Sequence, residues 1–245
     1  MNIIKINAID STNLYLKKLV SKSLLQNYTV IVTPNQTEGR GQMGTSWVSG
    51  EGKNLTFSLL VNIDSFEINK QFYLSMAVAL GIFDVLKTDC KTTFHIKWPN
   101  DILAVKDKVA GVLIENIIGG SHIKHSIVGI GLNVNQEIFP KELINVSSLK
   151  LNCGKNYDLD LLLTKIVESI KYFVEFIKNK DFTKLKSLYL SYLYKLNKPA
   201  MFEDNLGNVF LGKIIDVTQS GRLVVELPDE KTRKFNLKEI KFANR

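Results

Sequence analysis

The sequence predicts an α+β fold, a mixed sheet covered by helices and followed by a small β-barrel. Two observations carry this. Strand-like segments follow one another through the middle of the chain, while helical periodicity gathers before and after them. After Asn197 the pattern shifts to short strands cut by Gly- and Pro-containing turns.

The first helix follows Asp10-Ser11-Thr12-Asn13, whose small polar side chains can accept bonds from free N-terminal amides. Residues 28–36 read as a strand, because Val30, Ile31 and Val32 are β-branched and the run meets Pro34. Residues 54–63 read as a second strand. Residues 69–86 form a buried helix with Phe72, Met76, Leu80 and Phe83 on one side. Three more strand segments follow, over residues 93–98, a hairpin over 102–118 turning near Asp107, and 125–135. Asp158 caps a helix expected to run to Ile177, and Asp181 a second expected to run to Tyr194. Residues 208–218, 222–229 and 232–237 supply the barrel strands. These readings divide the chain into residues 1–195 and 196–245.

At 245 residues and 45% hydrophobic, the chain can bury one large core with a small companion. It contains no run of about eighteen apolar residues, so no membrane span is expected. Asp10 and its polar neighbours stand where a signal peptide needs its apolar stretch. The expected location is therefore cytoplasmic. Cys90 and Cys153 lack His or Cys neighbours at metal-ligand spacing, so no metal site is expected and the two read as reduced thiols. The +8 charge suits nucleic acid, anionic ligands or an acidic partner. Lysines 165, 171, 178, 184 and 186 mix with Glu168, Glu175 and Asp181, however, which reads as a solvated face.

Four segments bear on chemistry. In residues 39–47, Gly39, Gly41 and Gly44 allow close backbone approach to a ligand, Arg40 offers planar donors for phosphate or carboxylate, and Trp47 can stack on a flat ring. The glycine spacing fits neither the P-loop nor the dinucleotide fingerprint. Lys97-Trp98-Pro99-Asn100-Asp101 is a stiffened turn. Residues 108–115 open an apolar strand with Lys108, and Gly111 leaves space against its backbone. Residues 129–135 form an apolar strand with Gly129, Gly131 and Asn133. Singly, each segment also fits an ordinary turn or strand.

In this order, and with Gln36 and the Ser-Thr-Asn element, these segments resemble the biotin–protein ligases over about half of the chain. The end barrel is similar to that family's SH3-like domain. The resemblance implies that Ser11, Thr12, Asn13 and Gln36 contact biotin, with Gly39, Arg40, Gly41 and Gln42 closing over it and Gly111 beside it. Lys108 would meet the reacting carboxylate and phosphate. Arg40, Gln42, Lys97, Lys108, Trp47 and Asn133 would contact ATP. Arg40, Lys108 and Asp101 are the implied catalytic set. The implied reaction forms biotinyl-5′-adenylate from biotin and ATP with Mg2+, then passes biotin to a lysine of a biotin carboxyl carrier protein. Many members have Arg where this sequence has Gln42, which removes one cation from the loop.

Some members also carry an N-terminal DNA-binding domain. Because the signature begins at Asp10, a ligase without repressor function is expected, as a monomer or homodimer with no nucleic-acid or membrane partner. Two other readings remain open. Lipoate–protein ligases and octanoyltransferases share the fold, but the transferases use a Cys nucleophile, and neither Cys90 nor Cys153 stands in a glycine-lined motif. A nucleic-acid-binding barrel is the third reading, although Phe202, Phe210 and Phe235 alternate as a packed core would.

Overall fold

The computed structural model describes residues 1–243. In chain order the elements are β1 (Asn2–Lys5), β2 (Ala8–Ile9), α1 (Thr12–Lys22), β3 (Thr29–Thr33), β4 (Asn35–Gln36), β5 (Leu55–Val61) and β6 (Phe66–Glu67). Then come α2 (Phe72–Asp89), β7 (Phe94–Lys97), β8 (Asp101–Ala104), β9 (Asp107–Gly119), β10 (His122–Leu132), α3 (Leu149–Cys153), α4 (Leu159–Lys178) and α5 (Phe182–Ser191). The C-terminal strands are β11 (Pro199–Asp204), β12 (Val209–Val217), β13 (Leu223–Glu226), β14 (Thr232–Phe235) and β15 (Ile240–Phe242).

The large sheet has the order β1-β3-β5-β10-β9-β8-β7, with β6 paired to β10. Only β1 and β3 run parallel within it, which makes the sheet mixed. Alternation sorts its side chains between two faces. Val30, Leu59 and Val128 enter the main core with α2, α4 and α5. Their neighbours Ile31, Leu60 and Ile127 form a smaller cluster with Leu16 of α1. Helices therefore cover one face almost completely, whereas α1 covers only part of the other. The uncovered part of that second face becomes the floor of a cleft.

The expected caps form. Ser11 accepts from the Leu14 amide, Asp158 from Leu161 and Asp181 from Lys184. Other readings need correction. The helix expected from residue 69 starts at Phe72, after a single 3-10 turn over Ile68–Lys70. The last helix ends at Ser191 rather than Tyr194, because the next residues bridge to the sheet: the Tyr194 amide donates to Ile96 O, and Leu193 pairs with Ile96. Strands β1, β11 and β15 and the short helix α3 have no counterpart in the sequence reading. Strands β1 and β15 and helix α3 are brief and fixed by partners distant in sequence, and β11 pairs with β15 as well as with its hairpin neighbour β12.

The cysteines are not separate thiols. Cys90 at the end of α2 and Cys153 at the end of α3 form a disulfide across 63 residues. Nothing local in the sequence announces the pairing, because α3 is laid beside α2 by its own long-range bonds. The Leu149 and Lys150 amides donate to Asn133 O and Val134 O.

The last five strands form one antiparallel sheet in the order β14-β13-β12-β11-β15, matching the small end barrel expected. Phe202, Phe210, Phe235 and Phe242 pack as a chain of rings inside it. This sheet docks beside the larger one, against the β7–β8 turn, α5 and the segment after it: the Trp98 indole N–H donates to Gly221 O at 2.8 Å, Tyr194 meets Phe242, and Lys186 pairs with Asp216. Among the described residues no helix is long and apolar enough to cross a membrane.

Candidate active site

A cavity of about 560 Å³ opens on the uncovered sheet face, between α1, the 39–47 loop and the C-terminal strands. At one end lie Ser11, Thr12 and Asn13, all nearly fully buried. Gln36 Oε1 accepts from the Thr12 amide at 3.0 Å and from its hydroxyl at 3.2 Å. Ser58 Oγ donates to Asn13 Oδ1 at 2.6 Å and lies 2.7 Å from Thr12 Oγ1. Asn13 Nδ2 donates to Glu115 at 2.9 Å. This is a buried array of fixed donors and acceptors, suited to a small polar head group.

The floor consists of residues that strand register brings to one face. Gly131 pairs with Gly111, Gly129 with Ser58, and Asp101 with Gly111. A methyl group on Gly129 would sit 2.4 Å from Asn13 Oδ1, and one on Gly131 would sit 2.2 Å from the Trp47 ring. The bare backbone is thus what lets Asn13 and Trp47 lie against the sheet.

Lys108 and Gly111 are three residues apart, so in an unbroken strand they would face opposite sides. A bulge prevents this. Ile102 pairs with Ala110 but Leu103 with Lys108, which leaves Val109 as the extra residue. Lys108 therefore turns to the cavity side, with Nζ 2.7 Å from Asp101 Oδ1 and 5.5 Å from the Trp47 ring centroid. Lys97 also lines the cavity, its Nζ 5.7 Å from the Phe242 ring centroid.

The 39–47 loop is a small hairpin tied largely to itself. Gly41 N donates to Thr45 O, Thr45 N to Gln42 O and Trp47 N to Gly39 O, while Met43 takes a positive φ of 52°. Arg40 Nη1 reaches Glu115 Oε1 at 3.9 Å, a long and half-exposed pair. The Lys108 ammonium lies beside Gly111 and Arg40 reaches Glu115, four residues further along, so the two cations meet β9 at points roughly 13 Å apart.

The structure thus gathers Ser11, Thr12, Asn13, Gln36, Arg40, Gly41, Gln42, Trp47, Lys97, Asp101, Lys108 and Gly111 around one cavity. Gly39 and Asn133 do not line it. Asn133 is buried and donates to Ser147 O, which orients it toward α3. Ser58 is absent from the sequence reading, and Glu115, the last residue of the 108–115 segment, has no role there; Ser58 orients Asn13, and Glu115 orients both Asn13 and Arg40, as alternation along β5 and β9 could have shown. Absent too is the wall formed by β11, β15 and the Leu237–Lys238 turn. There Asp204 is opposed by burial, but bonds from Asn208 and from the Leu206 and Asn208 amides, with nearby Arg233, hold its carboxyl below the usual range. No group of three potential metal ligands occurs among the described residues.

Residues 6–133, just over half of the chain, match the biotin/lipoate A/B protein ligase family. This chain belongs to that family. Among curated relatives, it is 30% identical over 201 residues to the bifunctional ligase/repressor BirA of Bacillus subtilis, covering 81% of this chain and 61% of that protein. It is 34% identical over 127 residues to biotin–[acetyl-CoA-carboxylase] ligase of Paracoccus denitrificans, about half of each chain. The chain thus spans only part of the length of these curated family members. Among solved structures, it is similar to biotin protein ligase from Aquifex aeolicus in complex with biotin and ATP, with 28% identity, 99% of both chains covered and a TM-score of 0.82.

Proposed function

We propose that this chain is an ATP-dependent biotin–protein ligase. The observation that carries the reading is a single cavity holding buried hydrogen-bonding groups at one end and the cations Lys108, Lys97 and Arg40 along its walls. Biotin has the matching polarity: a ureido ring that both donates and accepts, an apolar chain, and a carboxylate. Ser11, Thr12, Asn13 and Gln36 would take the ring, with Ser58 and the bare backbone of Gly129 holding Asn13 in place, and the carboxylate would point toward Lys108.

A carboxylate oxygen then attacks the α-phosphorus of ATP and pyrophosphate leaves, giving biotinyl-5′-adenylate. Two anions must meet for this to occur, and Lys108 and Arg40 offset their repulsion. Lys108 already faces Asp101, which holds the ammonium in place before substrate arrives. Arg40 must leave Glu115 to reach the phosphates, and its long, exposed pair makes that release inexpensive. Trp47 offers a ring beside the nucleotide. Mg2+ would arrive on the triphosphate, where it would screen charge; among the described residues no cluster of three carboxylate, His or Cys ligands forms a cage for it. In the second step the amine of a carrier lysine attacks the acyl carbon and AMP leaves. By analogy with the named relatives, that lysine belongs to a biotin carboxyl carrier protein. Repression of transcription is no part of this proposal.

Neither cysteine lines the cavity, and the two are joined to each other, which weighs against a cysteine-dependent acyl transferase. Incubation with ATP and either biotin or lipoate, followed by mass spectrometry, tests the reading. Biotinyl-AMP is expected; lipoyl-AMP alone, or no acyl-AMP, would reject it.

A further inference from the structure

Between Glu38 and Gly50 the glycine loop is lightly held. The chain is anchored before it, where the Glu38 amide donates to Asp10 O, and after it, where the Gly50 amide donates to Gln136 Oε1. Among the described residues, one hydrogen bond joins residues 40–46 to a distant part of the molecule: Lys238 Nζ donates to Met43 O at 2.8 Å, across 195 residues. Lys238 sits in the turn between β14 and β15, and it lines the same cavity as Arg40 and Gln42. The bonded carbonyl belongs to Met43, which with Gly44 forms the positive-φ tip of the hairpin between the two anchors. A bond there restrains the loop with the greatest leverage.

We propose that Lys238 is a positioning residue: it latches the tip of the glycine loop to the C-terminal barrel and so sets how long the reactive intermediate is kept in the cavity. A charge-assisted bond is suited to this, being strong enough to bias the loop and exposed enough to open on each turnover. The retention part rests on the ligase reading; the latch itself does not. The proposal also gives the barrel a task, since its strands otherwise only wall the cavity.

Two measurements on the full chain test it. Limited trypsin digestion of the ligand-free protein reports opening of the loop by the rate of cleavage after Arg40, identified by mass. Stopped-flow chase of preformed biotinyl-AMP reports its release. Lys238→Ala is expected to raise both rates by about tenfold. Lys238→Arg, which keeps a cationic donor, should restore most of each, and Lys234→Ala on the same barrel should leave both unchanged. Lys238 is exposed, so thermal melts of the variants should match the wild type. An unchanged Arg40 cleavage rate in Lys238→Ala overturns the latch. Faster cleavage with unchanged release overturns its role in retention. If the wild type forms no biotinyl-AMP, the ligase reading fails while the digestion still decides the latch.

Discussion

Lys108 and Arg40 line one cavity, yet Lys108 is aimed by a bulge in a strand paired on both sides, whereas Arg40 hangs from a hairpin bonded mainly to itself. The sheet floor is shaped by packing: glycines at 129 and 131 admit Asn13 and Trp47 at distances no other residue would allow. The loop is shaped by a few exposed contacts. In the proposed ligase reaction a rigid floor would fix where the reacting atoms sit, and a lightly held cover would let substrates enter and an adenylate stay. Reaction geometry and access would then fall to separate parts of the chain.

Substitutions should divide along the same line. The largest effect is expected for Lys108→Ala, which should slow adenylate formation by about 100-fold or more in single-turnover assays while the fold persists. Near-normal turnover would remove Lys108 from the chemistry. Next comes Gly129→Ala on the floor. Its methyl would displace Asn13 and, by breaking a buried bond network, weaken biotin binding by about thirtyfold in calorimetry. Wild-type affinity would show that the floor yields. Arg40→Ala belongs to the cover and should cost about tenfold in both formation and retention, with an unchanged melting temperature. A large loss of stability would contradict the picture of a lightly held loop.

The smallest effect concerns the barrel wall. The folded carboxyl of Asp204 titrates below its unfolded value, so its contribution to stability is complete above the ordinary aspartate range and is lost as pH falls through the lowered folded value. Thermal melts of Asp204→Asn should therefore show a shallower loss of stability over that acidic window than the wild type. Parallel curves would remove Asp204 as a source of acid sensitivity.

How much of the fold is legible in the sequence depends on the range of the interactions that hold each element. Segments whose signal is local were legible, including the caps at Ser11, Asp158 and Asp181 and the β-branched run at Val30–Val32. Elements held by remote partners were not. Strand β1 exists because Asn2–Lys5 pair with Thr29–Val32, and β15 because Ile240–Phe242 pair with Phe202–Asp204. The Cys90–Cys153 pair belongs to the same class, since two cysteines 63 residues apart give no hint of proximity until α3 is laid beside α2.

By itself, the order of amino acids determined which chemical groups this protein has and in what local setting: a capped Ser-Thr-Asn element, a glycine loop with one arginine, a lysine opening a strand, and glycines where side chains would obstruct. Periodicity and capping act over a few residues, so they survive in one dimension. Tertiary structure alone decided that Lys108 faces Asp101, that Ser58 and Glu115 hold Asn13, and that a lysine near the C-terminus touches the loop tip. Those contacts depend on strand register, on one extra residue at Val109 and on the docking of the barrel, all of which are set by pairings between residues far apart along the chain.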